Sequence, residues 1–252
     1  MTKKIILIAG PTASGKSKLA LLLAKKINGE LINADSMQIY KEFRVLSSRP
    51  NKKDEKRVKH HLYGFLSVKK YFSVGDWLTE VKKKINTCHK NQKIPIIVGG
   101  TGLYFNAITK GISKIPIIDN KTRKNARKLF QRLGYKKFYK KLLAIDPKVK
   151  NRIVPTDSQR AQRAYEVIFK TKKSLFDWAI NTRSDFLKFE LKKIFLDIPR
   201  NELLKKISLR TENMFKDNCL NEVKKFNLLK LEKSLSANKL IGVKEISDYL
   251  KG

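Results

Sequence analysis

The sequence predicts an α/β fold: a parallel sheet with helices on both faces and a helical segment inserted into it. Three observations carry this. The apolar run Ile5–Ala9 leads straight into Gly10-Pro-Thr-Ala-Ser-Gly-Lys-Ser17, which fits G-x-x-x-x-G-K-[ST] between a strand and a helix and makes the sheet P-loop NTPase-like. Strand and helix patterns alternate over residues 1–112. The strand signal then disappears until Lys193–Asp197, and helical patterns fill the gap.

Each element has its own signature. Ile5–Ala9 is an apolar strand. Leu19, Leu22, Leu23 and Ile27 share one face of a helix over Lys16–Ile27, with Gly29 just past its end. Glu30–Ala34 is a second strand, ending at Asp35-Ser36. Ser73 with Asp76 three residues on reads as a capping box, opening a helix whose stripe is Val74, Trp77, Leu78, Val81 and Ile85. Ile94–Val98 is a buried strand that ends in Gly99-Gly-Thr-Gly102. Continuous apolar strands alternating with helices require a parallel sheet covered on both faces, and such sheets bind ligands at the carboxyl ends of their strands. The Gly-rich loop, Asp35 and Gly99–Gly102 all follow strand ends, so they are expected to converge on one crevice.

Helical patterns follow over Thr122–Leu133, Lys136–Leu143, Ser158–Phe169 and Ser174–Ile180. After the strand Lys193–Asp197, Pro199 suits the first turn of a helix running through Leu203, Leu204, Ile207, Arg210 and Met214, and a last helix spans Val243–Leu250. The expected organisation is a core of residues 1–112 and 191–252, with an inserted helical domain of residues 113–190.

Composition narrows the partners. The 252 residues carry 57 Lys+Arg against 22 Asp+Glu, a formal net charge of +35. Such an excess repels itself in the compact state unless a polyanion offsets it, so nucleic acid is the natural partner; a general preference for Lys is the plainer alternative. The arginines discriminate, because a guanidinium pairs bidentately with phosphate. Arg123, Arg127, Arg132, Arg152, Arg160 and Arg163 cluster in the inserted segment. Cys88 and Cys219 form no C-x-x-C pair, so no disulfide framework or zinc site is implied, and a reducing, cytoplasmic setting fits. The five-residue apolar run near the N-terminus is too short for a signal peptide, and no run of 18 apolar residues (the usual membrane-span length) occurs. No membrane association is expected.

The chemistry starts at the loop. Gly10 and Gly15 let the backbone curl so that N–H groups point at phosphate oxygens; Lys16 adds a cation, and Ser17 a hydroxyl suited to Mg²⁺. A di- or triphosphate ligand is expected. Asp35 has two sensible roles, as a Mg²⁺ ligand or as a general base, with a turn cap as the structural alternative. Gln38 can hydrogen-bond adenine bidentately. Thr101 can meet a phosphate or an acceptor, or simply cap the next helix. His60, His61 and His89 lack carboxylate or Cys partners at metal-ligand spacing and read as structural or surface residues; Trp77 and Trp178 read as core.

At this point the chain resembles the tRNA dimethylallyltransferase family. The matching stretches, in order, are the loop from Gly10, Asn-Ala-Asp-Ser-x-Gln-Ile-Tyr from Asn33, Arg49-Pro50, His60-His61-Leu62 and Tyr71–Asp76. Pro95–Tyr104, Asp157–Val167, Arg210-x-x-x-Met214 and Ile241–Glu245 complete the series across essentially the whole chain. The resemblance implies that Gly10, Pro11, Thr12, Ala13, Ser14, Gly15, Lys16 and Ser17 hold the diphosphate of dimethylallyl diphosphate, with Arg210 as a second cation and Mg²⁺ beside Ser17. It implies that Asp35 takes a proton from the attacking adenine amine, assisted by Thr101 and Lys16, and that the acceptor is the adenosine 3′-adjacent to the anticodon. Asp35, Ser36, Met37, Gln38, Thr101, Arg123, Gln159, Arg160, Ala161, Gln162 and Arg163 are implied to contact the tRNA anticodon stem-loop. A monomer is expected.

Departures from the family pattern are Met37, where relatives often carry a polar or basic residue, and Leu46-Ser-Ser-Arg-Pro50 in place of a Gly-Thr-Ala-Lys-Pro type of sequence. The family pattern also continues beyond the equivalent of Gly252 with a basic, aromatic helix that helps hold tRNA, so full activity is not an expectation for this chain. The rival readings are a phosphate-loop kinase using Asp197 for Mg²⁺, an isopentenyltransferase acting on free adenine nucleotides, and a non-catalytic RNA-binding protein. Intact Lys16, Ser17 and Asp35 argue against the last.

Overall fold

A computed structural model describes residues 3–232 and 235–252. Strands β1 (Lys4–Ala9), β2 (Gly29–Asn33), β3 (His60–His61), β4 (Ile94–Gly99) and β5 (Glu190–Phe195) form one parallel sheet in the order β3-β2-β4-β1-β5. The helices are α1 (Lys16–Lys26), α2 (Lys52–Arg57), α3 (Val74–Lys90), α4 (Gly102–Thr109), α5 (Asn120–Ile145), α6 (Ser158–Thr171), α7 (Leu175–Ala179), α8 (Arg200–Lys216), α9 (Cys219–Leu228) and α10 (Val243–Tyr249). The described residues divide into two compact units: one made of the stretches either side of Lys110–Ser184, holding the sheet, and Lys110–Ser184 itself.

In the sheet unit, Ile8, Leu31, Ile96 and Val98 pack beneath Ala20 and Ala24 of α1. Side chains alternate along a strand, so Leu7, Ile32 and Ile97 belong to the opposite face, where α3 packs on β2 and β4. The sequence put Leu22 on the buried face of α1, yet it is 57% exposed. The helix turns its alanines to the sheet because the approach is close: a methyl on Gly29 would stand 3.3 Å from Ala24 Cα. The Ser73–Asp76 capping box forms as expected at the start of α3, whose Trp77 is fully buried.

A second core gathers Ile39, Tyr40, Phe43, Leu46, Leu66 and Val68 against Cys219, Val223 and Phe226 of α9 and Val243 and Ile246 of α10. It secures the chain between β2 and α3, which has little regular structure of its own.

In the helical unit, α5 is broken at Gly134 (φ 67°, ψ 170°), giving the two helical stretches that the sequence pattern showed. Phe138, Leu142, Val149, Ile153, Ala161 and Ala164 form its core. Trp178 is half-buried and not a core residue: α7 is only five residues long, and the indole N–H reaches Thr171 Oγ1 at 3.3 Å while Lys173 lies over the ring. No helix among the described residues is long and apolar enough to cross a membrane.

Candidate active site

The carboxyl ends of three adjacent strands, β2, β4 and β1, open into one crevice. After β1 the chain makes the Gly10–Ser17 loop. Gly15 takes φ +84°, a left-handed conformation that favours glycine, and α1 starts directly behind it with its first N–H groups uncapped by side chains. Lys16 folds back over the loop and donates Nζ to the Pro11 carbonyl at 2.9 Å. Burial lowers its pKa below the ordinary lysine value; Asp35 opposes that shift and Arg210 adds to it. The Ser14 hydroxyl is buried without a hydrogen-bond partner, the kind of orphaned group that a phosphate oxygen satisfies.

Asp35 is set by a chain of polar contacts from the strand end. Asn33 Oδ1 accepts the Asp35 N–H at 2.9 Å, and Asn33 Nδ2 donates to the Asp35 and Leu62 carbonyls. The Trp77 indole N–H donates to the Asn33 carbonyl at 2.9 Å. Asp35 Oδ1 accepts the Met37 N–H at 2.9 Å, which leaves Oδ2 facing Gly100. Thr101 Oγ1 accepts the Ser36 N–H at 2.9 Å and donates to Ser36 Oγ at 3.3 Å, pinning this turn to the end of β4. Gly99 is where the two strand ends nearly touch: a methyl there would lie 2.1 Å from the Ala34 carbonyl oxygen. A methyl on Gly100 would stand 3.8 Å from Asp35 Oδ2 and 4.0 Å from Lys16 Nζ. Glycine keeps open the space between carboxylate and ammonium.

Helix α8 closes the crevice from the far end of the sequence. Arg210 Nη1 donates to Thr12 Oγ1 at 2.8 Å. Burial lowers the Arg210 pKa, and Asp35 acts against that. The resulting cavity, about 350 Å³, is lined by polar residues that include Thr12, Lys16, Asp35, Thr101 and Arg210 and by the apolar residues Met37, Leu46, Ile207, Met214, Leu240 and Ile241. The sequence did not mark Leu46, Leu240 or the apolar face of α8 as site residues. Ile207 showed only in a helical stripe, Met214 in that stripe and in a matching stretch, Leu46 only as the start of a departure from the family pattern, and Leu240 not at all.

Other expectations look different in three dimensions. Both hydrogens of Gln38 Nε2 are engaged, by the Ser47 and Ser48 carbonyls at 3.0 and 2.8 Å, so a bidentate adenine contact is not available to it in this arrangement. Asp197 is exposed and, unlike Asp35, does not line the cavity. Ser17 is exposed at the start of α1. In the helical unit Arg123, Gln162 and Arg163 are half-buried, while Gln159 and Arg160 are exposed. Ala161 is 1% exposed and faces the helical core, so its side chain offers no surface to RNA. Arg160 pairs with Asp157 at 3.4 Å and Arg163 with Glu166 at 3.2 Å.

His61 does have partners. Its Nε2 lies 2.6 Å from Glu30 Oε2, and the Cys88 thiol donates to the same oxygen at 3.4 Å, all three buried. Linear spacing could not show this, because pairing of β2 with β3 and packing of α3 bring together residues far apart in the chain. The cluster satisfies itself by hydrogen bonds.

Comparison with known proteins shows the family. A model of the IPP transferase family matches residues 38–252. The tRNA dimethylallyltransferase of Pelagibacter ubique (strain HTCC1062) is 51% identical over 247 residues, 98% of this chain and 79% of that protein. That of Ehrlichia canis (strain Jake) is 40% identical over 247 residues, 98% of this chain and 82% of that protein. Among solved structures, a eukaryotic dimethylallyltransferase acting on tRNA matches with a TM-score of 0.85 at 28% identity, over 99% of this chain and 64% of that one. The tRNA isopentenylpyrophosphate transferase of Bacillus halodurans gives 0.66 at 30% identity, over 99% of this chain and 78% of that one. Identity at this level over nearly the whole length reflects common descent: the chain belongs to the IPP transferase family of enzymes.

Proposed function

We propose that the chain transfers a dimethylallyl group from dimethylallyl diphosphate to the exocyclic N6 of the adenosine 3′-adjacent to the anticodon in tRNA, releasing diphosphate. The observation that carries this is the space over Gly100, bounded by the Asp35 carboxylate and the Lys16 ammonium and continuous with an apolar wall. A kinase needs cations and a carboxylate there, but it does not need six apolar side chains beside the phosphate site.

The N6 nitrogen attacks C1 of the dimethylallyl group, the C1–O bond breaks, and its electron pair leaves with the diphosphate. Asp35 Oδ2 takes the N6 proton, with Oδ1 and the backbone turn fixed by Met37, Asn33 and Thr101. Lys16, Arg210, Thr12 and the loop N–H groups hold the leaving diphosphate, where negative charge grows as the bond breaks. The Ser17 hydroxyl at the start of α1, a hard oxygen donor, would hold Mg²⁺. Mg²⁺ held there supplies charge neutralisation to the diphosphate. The tRNA anticodon stem-loop is the proposed partner of the helical unit, through Arg123, Gln159, Arg160, Gln162 and Arg163, and an unpaired loop makes it inexpensive to unstack the target base. The enzyme is read as a cytoplasmic monomer, with Cys88 and Cys219 buried and outside any disulfide.

The test is incubation of the chain with dimethylallyl diphosphate, Mg²⁺ and unmodified tRNA, followed by mass spectrometry of the digested RNA. Prenylated adenosine next to the anticodon is the expected product. Transfer of phosphate from ATP in its place would overturn the reading.

A further inference from the structure

We propose that Glu222 is a positioning residue that sets the apolar wall of the cavity, an inference that rests on the prenyl-transfer reading of that cavity. Glu222 stands on α9 and does not line the cavity. Its carboxylate accepts three consecutive backbone N–H groups: Arg44 and Val45 donate to Oε1, each at 2.8 Å, and Leu46 donates to Oε2 at 3.0 Å. Successive N–H groups turned to one point form a concave anion site, and charge-assisted bonds to it are about twice as strong as neutral ones. Here the anion comes from the chain itself, 176 to 178 residues away in sequence.

The turn held in this way reaches the cavity at two places. Leu46 and Ser47 line it directly. The Ser47 and Ser48 carbonyls occupy the amide of Gln38, three residues after Asp35. Leu46 also packs in the core cluster with Val223 and Phe226 of α9 and with Leu240, so the carboxylate and the leucine side chain lock the same turn from two directions. The position of Leu46 therefore follows from Glu222, and the room left for a prenyl tail follows from Leu46. One methylene more or less in an apolar pocket changes discrimination by about 10–200-fold.

Glu222→Gln keeps the shape but replaces one acceptor oxygen by an NH₂ that cannot accept an N–H. We expect its KM for dimethylallyl diphosphate to rise about tenfold with a smaller change in kcat, and its preference for the five-carbon over the ten-carbon (geranyl) donor to fall about tenfold. Glu222→Asp, which retains two acceptor oxygens, should recover part of both. Amide hydrogen exchange should quicken at residues 44–46 and stay slow in β4. Glu42→Gln is the control: Glu42 binds the Ser67 hydroxyl and the Val68 N–H near the same core without lining the cavity, so it should lower stability and leave donor preference alone. Unchanged exchange at 44–46, an unchanged donor ratio, or an equal shift in Glu42→Gln would overturn the role of Glu222. If the unmodified chain forms no prenylated tRNA, the functional reading fails separately. Exchange at 44–46 and calorimetric binding of the two diphosphates then decide the role of Glu222 without turnover.

Discussion

Arg210 and Thr12, 198 residues apart, meet through a 2.8 Å hydrogen bond that joins α8 to the phosphate loop. The contact places a second cation beside Lys16 and commits it before any ligand arrives. A guanidinium already bonded to the loop needs little rearrangement to receive a diphosphate oxygen, so part of the ordering cost is met in folding.

Removing that cation isolates its contribution. Arg210→Ala should raise the KM for dimethylallyl diphosphate by about 10- to 100-fold, the range of a lost charge-assisted hydrogen bond of about 1.5–3 kcal/mol. Arg210→Lys should recover little, because an ammonium cannot span two oxygens in the guanidinium's fixed geometry. Steady-state kinetics with the donor varied at saturating tRNA decides this; an unchanged KM in both variants would remove Arg210 from the site.

Asp35→Ala should abolish prenyl transfer and leave tRNA affinity within severalfold, since it removes the base and no phosphate contact. Filter binding of unmodified tRNA beside the mass-spectrometric assay separates the two effects. Loss of both together would show that the carboxylate holds the acceptor instead of accepting its proton.

Much of this site was legible in the sequence because its polar half, Arg210 apart, stands directly after strands. The loop is one continuous stretch, and Asp35 and Thr101 each directly follow a strand, where parallel-sheet topology brings them together. The apolar half was not legible. Leu46, Ile207 and Leu240 come from three separate segments; the second core, built by α9 and α10 against residues 39–68, brings Leu46 and Leu240 together, and Ile207 joins them from α8. Strand β3 was missed for a related reason: it has two residues and exists only by pairing with β2. Leu22 was misplaced because periodicity counts large apolar side chains, whereas close helix–sheet packing selected alanines.

The Glu30–His61–Cys88 cluster should govern acid stability. Burial pushes the Glu30 carboxyl up, but hydrogen bonds from His61 and Cys88 outweigh that and leave it below the ordinary glutamate value. A depressed folded-state pKa contributes stability that is present above the unfolded-state value and is lost as pH falls through the folded one. Replacing His61 by Phe strands the carboxylate, and should cost about 3 kcal/mol near neutral pH while flattening the acid limb. Urea denaturation from about pH 7 to pH 3 tests this; an unaltered acid limb would count against the cluster. Burial also pushes the Cys88 thiol up to about 12, so native protein should resist thiol reagents at this position until it unfolds.

Lys16 gives the donor site an alkaline limit. Burial, the largest influence, lowers its pKa; Asp35 opposes this and Arg210 reinforces it, for a net fall below the ordinary lysine value. Deprotonation removes a positive charge from the loop, whereas the diphosphate of the donor is already fully ionised at about pH 8 and gains nothing as pH rises. Affinity for dimethylallyl diphosphate should therefore decline at a lower pH than an ordinary lysine would dictate, with protons taken up on binding as it does so. Calorimetry in two buffers of different ionisation enthalpy measures both quantities. Lys16→Arg, whose charge persists, should bind more weakly at neutral pH but lose the alkaline decline. An affinity that stays flat up to the ordinary lysine value in the unsubstituted chain would show that Asp35 offsets both burial and Arg210 at Lys16.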